Sequence, residues 1–141
     1  MTAYDNDNVF AKILRGELPC HRIYEDETNL AFMDVMPRGD GHCLVIPKTP
    51  VRNILDASDE VLASLMPVVA RVARAAKTAF DADGITIQQF NEGAGGQVVF
   101  HMHVHVLPRF SDVKLRPHTG QMADNAVLAE QAAKIVAAMK A

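Results

Sequence analysis

The chain is poor in cysteine, and it has no concentrated positive charge, no long apolar run and no internal repeat. Each absence removes a class of protein. Cys20 and Cys43 are the only thiols and form no Cys-x-x-Cys pair. Two such residues make no disulfide framework, so they read as buried free thiols. A net charge of -3, spread without runs over 141 residues, lacks the clustered Lys and Arg that a polynucleotide requires, so no nucleic acid partner is expected. A small phosphorylated ligand stays open, because its site needs only a few local donors. No apolar stretch approaches spanning length, and the start Met1-Thr2-Ala3-Tyr4-Asp5-Asn6-Asp7 is acidic where a signal peptide is basic and then apolar. A cytoplasmic protein with no membrane partner is expected. The balance of 49% hydrophobic to 22% charged residues is that of a globular domain. At this length one domain, 1–141, buries roughly two thirds of its unfolded surface.

What is present is an ordered alternation of short elements. Asp7 or Asn8 caps a short helix through Leu14 or Arg15, with Val9, Phe10, Ile13 and Leu14 on one face and Gly16 ending it. Strands are predicted at Arg22–Glu25 and Leu30–Val35, forming a hairpin, and at His42–Ile46 after the turn cluster Pro37-Arg38-Gly39-Asp40-Gly41. Ser58 caps a long helix from Asp59 to Phe80, in which Pro67 predicts a kink or a later start. Further strands are expected from Gly84 to about Phe90 and from about Gln97 to Leu107, the latter closed by Pro108. A helix is expected over Ala123 to Met139. Together these predict an α+β fold, with a largely antiparallel five-stranded sheet, one long helix and short terminal helices.

Half of the chain's six histidines fall within five residues, at His101, His103 and His105. On a strand this spacing puts all three imidazoles on one face. Phe100, Met102, Val104 and Val106 would then lie on the other, apolar face. Three readings follow: a solvated strand face, a metal site using the imidazoles as ligands, or nucleophilic catalysis in which a neutral imidazole attacks phosphorus. The preceding loop Glu92-Gly93-Ala94-Gly95-Gly96 suits the last, since glycines let backbone N–H groups come close to a phosphate.

These residues resemble the histidine triad family, whose signature His-x-His-x-His-x-x is matched by residues 101–107. The likeness extends to Phe10-Ala11-Lys12-Ile13-Leu14-Arg15-Gly16-Glu17-Leu18-Pro19, to Ala31-Phe32-Met33-Asp34-Val35 with Pro37 and Gly41-His42, and to Asn91-Glu92-Gly93 and Gly95-Gly96-Gln97. It covers a core of 8–109, leaving 110–141 as a helical extension. The resemblance implies a nucleotidyl hydrolase or transferase acting at the α-phosphate of an adenosine, hence purine, nucleotide without a cofactor or catalytic metal. By position His103 is the nucleophile and His105 a donor to the phosphate. His101 orients its neighbour and His42 supports the cluster. Asp34 and Val35 fall at the ribose and base, and Asn91, Gly96, Gln97 and Val98 at the phosphate or leaving group. A homodimer with joined sheets is also implied, with the apolar stripe of the 59–80 helix supplying part of the contact.

Two departures bear on this. Many bacterial relatives carry Cys-x-x-Cys in the opening helix, where this chain has Asn8 and Ala11, so no structural zinc is expected. The phosphoramidate-cleaving branch usually has serine where Val98 stands, and Val106-Leu107-Pro108-Arg109 resembles the dinucleoside-polyphosphate branch, whereas the N-terminal half resembles the phosphoramidate branch. The substrate is therefore expected to be a nucleoside phosphoramidate or a dinucleoside polyphosphate. A metal-dependent hydrolase and a nucleotide-binding or protein-interaction module with little turnover are the alternatives.

Overall fold

The computed structural model describes residues 3–117 and 121–141; Met1, Thr2 and residues 118–120 of the expected extension lie outside the described residues. Helix α1 spans Val9–Leu14, with the Asn8 side chain accepting from the Ala11 N–H. Gly16 follows at φ +77°, a conformation that ends a helix at little cost to glycine. Strands β1 (Arg22–Glu25), β2 (Asn29–Met33) and β3 (Cys43–Pro47) come next, followed by the long helix α2 (Asp59–Ala79). Strands β4 (Gly84–Gln88) and β5 (Val104–Arg109) and helix α3 (Asn125–Lys140) complete the chain. Among the described residues the strands form one antiparallel sheet in the order β1-β2-β3-β5-β4.

Side-chain alternation divides the sheet into two faces. Ala31, Met33, Cys43, Val45, Val104 and Val106 point to one side and pack with Leu65, Val69 and Val72 of α2 and Leu128 and Ile135 of α3. Each large apolar side chain so buried stabilises the fold by roughly 1.5–3 kcal/mol. Leu30, Phe32, Leu44 and Ile46 point to the other side, where Phe10 of α1 covers them. The helix side is thus filled by α2 and α3, while the other is only partly covered, by the short α1.

Several expectations change. Most of the apolar stripe of α2 packs into this chain's own core, while Met66 of the same stripe is 47% exposed. Helix α2 runs through Pro67 without interruption, because Pro67 faces outward and its missing hydrogen bond lies on the solvent side. The fifth strand starts at Val104 instead of Gln97, since β3 pairs with it only from Val104 to Val106 and β4 only from His105 to Arg109. Pro108 sits inside this strand, beyond the end of the β3 ladder, where its lack of an N–H is tolerated. The C-terminal helix is 16 residues long and contributes to the same core as α2. Cys43 is buried, but Cys20 is only half-buried. No helix among the described residues is long and apolar enough to cross a membrane.

Candidate functional site

Residue parity builds the site. His42 precedes Leu44 by two residues, Asp34 follows Phe32 by two, and Leu44 is paired directly with His105. All three groups therefore fall on the α1 side of the sheet. His103 and His101 continue the alternation upstream of β5, outside the ladder. The ring of His103 lies 5.0 Å from that of His105, which lies 5.2 Å from that of His42. Phe10 stands edge-on to His103 at 4.9 Å. This is no solvated face: His101 is 0% exposed and His103 7%.

The hydrogen bonds fix which ring nitrogens carry protons. A carbonyl only accepts, so His103 Nδ1–H donates to the His101 carbonyl at 2.7 Å, leaving a lone pair on Nε2. The Arg38 N–H donates to His42 Nδ1 at 3.0 Å, which places the His42 proton on Nε2. That proton faces His105 Nδ1 at 2.9 Å and Asp34 Oδ2 at 3.4 Å. His105 Nδ1 accepts, so neutral His105 carries its proton on Nε2. His101 Nε2–H donates to the Pro47 carbonyl at 2.7 Å, and its Nδ1 accepts from the Tyr4 hydroxyl at 2.5 Å. Adjacent rings therefore present opposite chemistry, a lone pair on His103 and a donor on His105.

Burial keeps His101 and His103 neutral. It lowers the His103 pKa against the opposing pull of the His101 carbonyl, and it pushes His101 down to about 4. Burial also raises Asp34 to about 6, opposed by the Met36 N–H that its carboxylate accepts.

The metal reading divides on the same geometry. Asp34, His42 and His105 each offer a ligand atom, all within 4.8 Å of one another, so this cluster, and not the alternating triad, would be the metal site. Yet a metal on His42 Nε2, with Nδ1 still accepting from Arg38, would require a fully deprotonated imidazolate. The donor set fits a proton relay better than a metal. At the positions of the absent Cys-x-x-Cys, Asn8 caps α1 and Ala11 is buried beneath it.

The remaining expected residues divide into open and committed groups. Asp34 is partly open, with its side chain 19% exposed, and Val35 is exposed beside it. Val98 is 78% exposed. Asn91 Oδ1 accepts from the Ile54 N–H and from Gln89, which ties the loop to the turn after Asn53. Gly96 adopts φ +98°, and a Cβ there would meet the Phe90 ring at 3.2 Å. Gln97 is buried with its amide committed: Oε1 accepts from the Asn53 side chain and the Glu92 N–H, and Nε2 donates to the Arg52 and Val99 carbonyls. The N–H groups of Gly95, Gly96 and Gln97 close the loop on itself. Gln97 is thus a brace, and these three amides are not aimed outward at a phosphate.

Tyr4, the Pro47 carbonyl and residues 51–53 were not legible as site residues, because nothing local marks a residue whose partner lies 40 to 100 positions away. For Phe10 a signal existed in its place on the apolar face of α1.

The comparisons with known proteins agree with this geometry. The model of the HIT domain matches residues 15–112. "Protein hit" of Bacillus subtilis is 39% identical over 102 residues, 72% of this chain and 70% of that protein. Adenylylsulfatase HINT3 of Arabidopsis thaliana is 38% identical over 104 residues, 74% of this chain but only 53% of that protein. Among solved structures, a Hit-like protein from Bartonella henselae described as involved in cell-cycle regulation superposes with a TM-score of 0.91 at 48% identity, covering 96% of this chain and 99% of that one. A zinc-bound histidine triad family protein from Mycobacterium smegmatis gives 0.84 at 38% identity, covering 95% and 94%. With the triad, its supporting histidine and the sheet all in place, this chain belongs to the histidine triad (HIT) domain family.

Proposed function

We propose that this protein is a nucleotidyl hydrolase or transferase that cleaves at the α-phosphate of an adenosine nucleotide through a covalent nucleotidyl-His103 intermediate. The observation that carries this reading is the opposed protonation of His103 and His105. In the first step the His103 Nε2 lone pair forms a bond to phosphorus, and the bond to the leaving group breaks. His105 Nε2–H donates a hydrogen bond to the phosphate as charge develops on it, and keeps its proton; the leaving group departs with its bonding electrons and, when it is an amine, takes its proton from solvent. In the second step water attacks phosphorus, the bond to His103 Nε2 breaks, the proton lost by water passes to solvent, and the mononucleotide departs with the regeneration of neutral His103. Hydrogen bonding from His42 to His105 maintains the tautomer this requires. The partly exposed Asp34 carboxylate would accept from the ribose hydroxyls, with Val35 beside the base. Val98 offers no hydroxyl to the leaving group. The family's homodimer would place a second copy along the free edge of β4, where Ile87 is 44% exposed.

The test uses three substrates with the same adenylyl group: an adenosine phosphoramidate, a diadenosine polyphosphate and adenylyl sulfate, the last suggested by the name of the Arabidopsis relative. Each is incubated with and without chelator, quenched, and examined by mass spectrometry for an acid-labile adenylyl group on His103. Turnover of at least one substrate, indifferent to chelator and with the adduct present, is expected. The His103→Ala variant should lose activity by at least about 10⁴-fold while still folding. Turnover that chelation abolishes and metal restores would establish the metal-dependent alternative instead. Binding of AMP without turnover or adduct would indicate a nucleotide-binding module.

A further inference from the structure

Residues 47–53 belong to no motif, yet they touch both halves of the site. The Pro47 carbonyl holds His101, and the Val51 carbonyl accepts the Met102 N–H at 2.9 Å. On the other side the Arg52 carbonyl accepts from Gln97 Nε2 at 2.7 Å, and Asn53 Nδ2 reaches Gln97 Oε1 at 3.0 Å. Arg52 adds a charged anchor. Its Nε and Nη2 donate to the two Glu92 carboxylate oxygens at 2.8 and 3.0 Å, while its guanidinium carbon lies 4.2 Å from the Phe100 ring centroid. Asn53 Nδ2 donates to the same carboxylate at 2.5 Å.

The residue so gripped is unusual. Glu92 has φ +66°, in the left-handed region that a side chain disfavours. Its carbonyl accepts the Gly95 and Gln97 N–H groups that close the glycine loop. The conformation of this one residue thus sets how residues 93–97 stand against the histidines. A two-bond guanidinium–carboxylate fork restrains rotation as well as distance, which a lysine ammonium does not. The guanidinium also lies over the ring of Phe100, the residue before His101.

We infer that Arg52 is a positioning residue: through its fork to Glu92 it holds the glycine loop in register with the histidines, and so acts on the reaction without touching the substrate. The consequence for catalysis rests on the function proposed above, whereas the consequence for the loop does not.

The experiment compares Arg52→Met, Arg52→Lys and Glu92→Gln with the wild-type protein, well below the melting temperature of each. Two readouts are used: steady-state kinetics on whichever adenylyl substrate turns over, and amide hydrogen exchange. In Arg52→Met, kcat should fall about 10- to 100-fold with KM within about twofold, as expected when a reacting geometry is loosened. Exchange at residues 93–97 should rise about 10-fold or more, with β3 and β5 unchanged. Arg52→Lys should be intermediate, retaining charge but not the fork. Loop exchange or kcat within twofold of wild type in Arg52→Met overturns the inference, as does loss confined to melting temperature. If the wild-type protein turns over no adenylyl substrate, the functional reading fails and the loop's exchange alone decides the clasp. If it turns over and the variant matches it, the clasp fails and the function stands.

Discussion

At the scale of single residues, the chemistry rests on which nitrogen bears a proton, and backbone carbonyls set that as much as side chains do. His101 is not exposed and has both ring nitrogens engaged, one on Pro47 and one on Tyr4, while its own carbonyl orients His103. Tyr4 is therefore linked to His103, the proposed nucleophile, through His101. Removing its hydroxyl leaves a buried Nδ1 without its donor, at a cost of about 1–3 kcal/mol. In Tyr4→Phe, kcat should fall several-fold with KM nearly unchanged, and the ¹⁵N signal of His101 Nδ1 should move toward that of an acceptor without a donor. Unchanged kinetics and an unmoved signal would remove Tyr4 from the site. The histidine spacing was legible in the sequence because alternation is a local property. The partner of each ring nitrogen was not, since Tyr4 and Pro47 are distant from His101 in the chain.

Among the elements, most boundaries follow from caps and apolar periodicity. Asn8 and Ser58 cap the helices the pattern predicts. The fifth strand shows where periodicity stops being sufficient. Apolar and histidine residues alternate through residues 100–107 whether or not a neighbour is present, but a ladder exists only where β3 and β4 reach it. The segment released from the ladder turns instead toward residues 47–51. The turn before His42 is equally constrained. Gly41 has φ +79°, and a Cβ there would lie 2.7 Å from the Phe80 ring and 3.0 Å from Pro108. Gly41→Ala should destabilise the fold by about 2–4 kcal/mol, through both backbone strain and overpacking. It should also reduce turnover, because His42 is the next residue. Urea denaturation and a rate assay on the same preparation check both, and full stability would contradict the close approach of Phe80 and Pro108 to Gly41.

For the whole molecule, one buried cluster couples stability to pH through opposing groups. His101, at about 4, stays neutral in the fold while the unfolded chain takes up its proton near 6.5, so stability is lost as pH falls from 6.5 to 4. Asp34 is raised from 3.8 to about 6, so the folded state takes up its proton first and stability is gained as pH falls through that same range. Each effect is worth about 3 kcal/mol, and they oppose. Burial of His103 adds to the loss. In Asp34→Asn the compensating group is gone, so the loss between pH 6.5 and 4 should steepen by about 3 kcal/mol relative to wild type. Urea titrations across that range would show it, and parallel curves would refute it. Read alone, the chain already specified an α+β sheet, its helices and the triad, because capping, alternation and motif spacing are written in neighbouring residues, whereas a role for His42 came only from the likeness to the family. It did not say which groups hold the three histidines or the Gln97 amide. Those partners are residues far apart in sequence: Arg38 on His42, His42 on His105, and residues 51–53 on Gln97 and Met102. Folding brings them within hydrogen-bond distance, and there the placement of protons separates one histidine from the next.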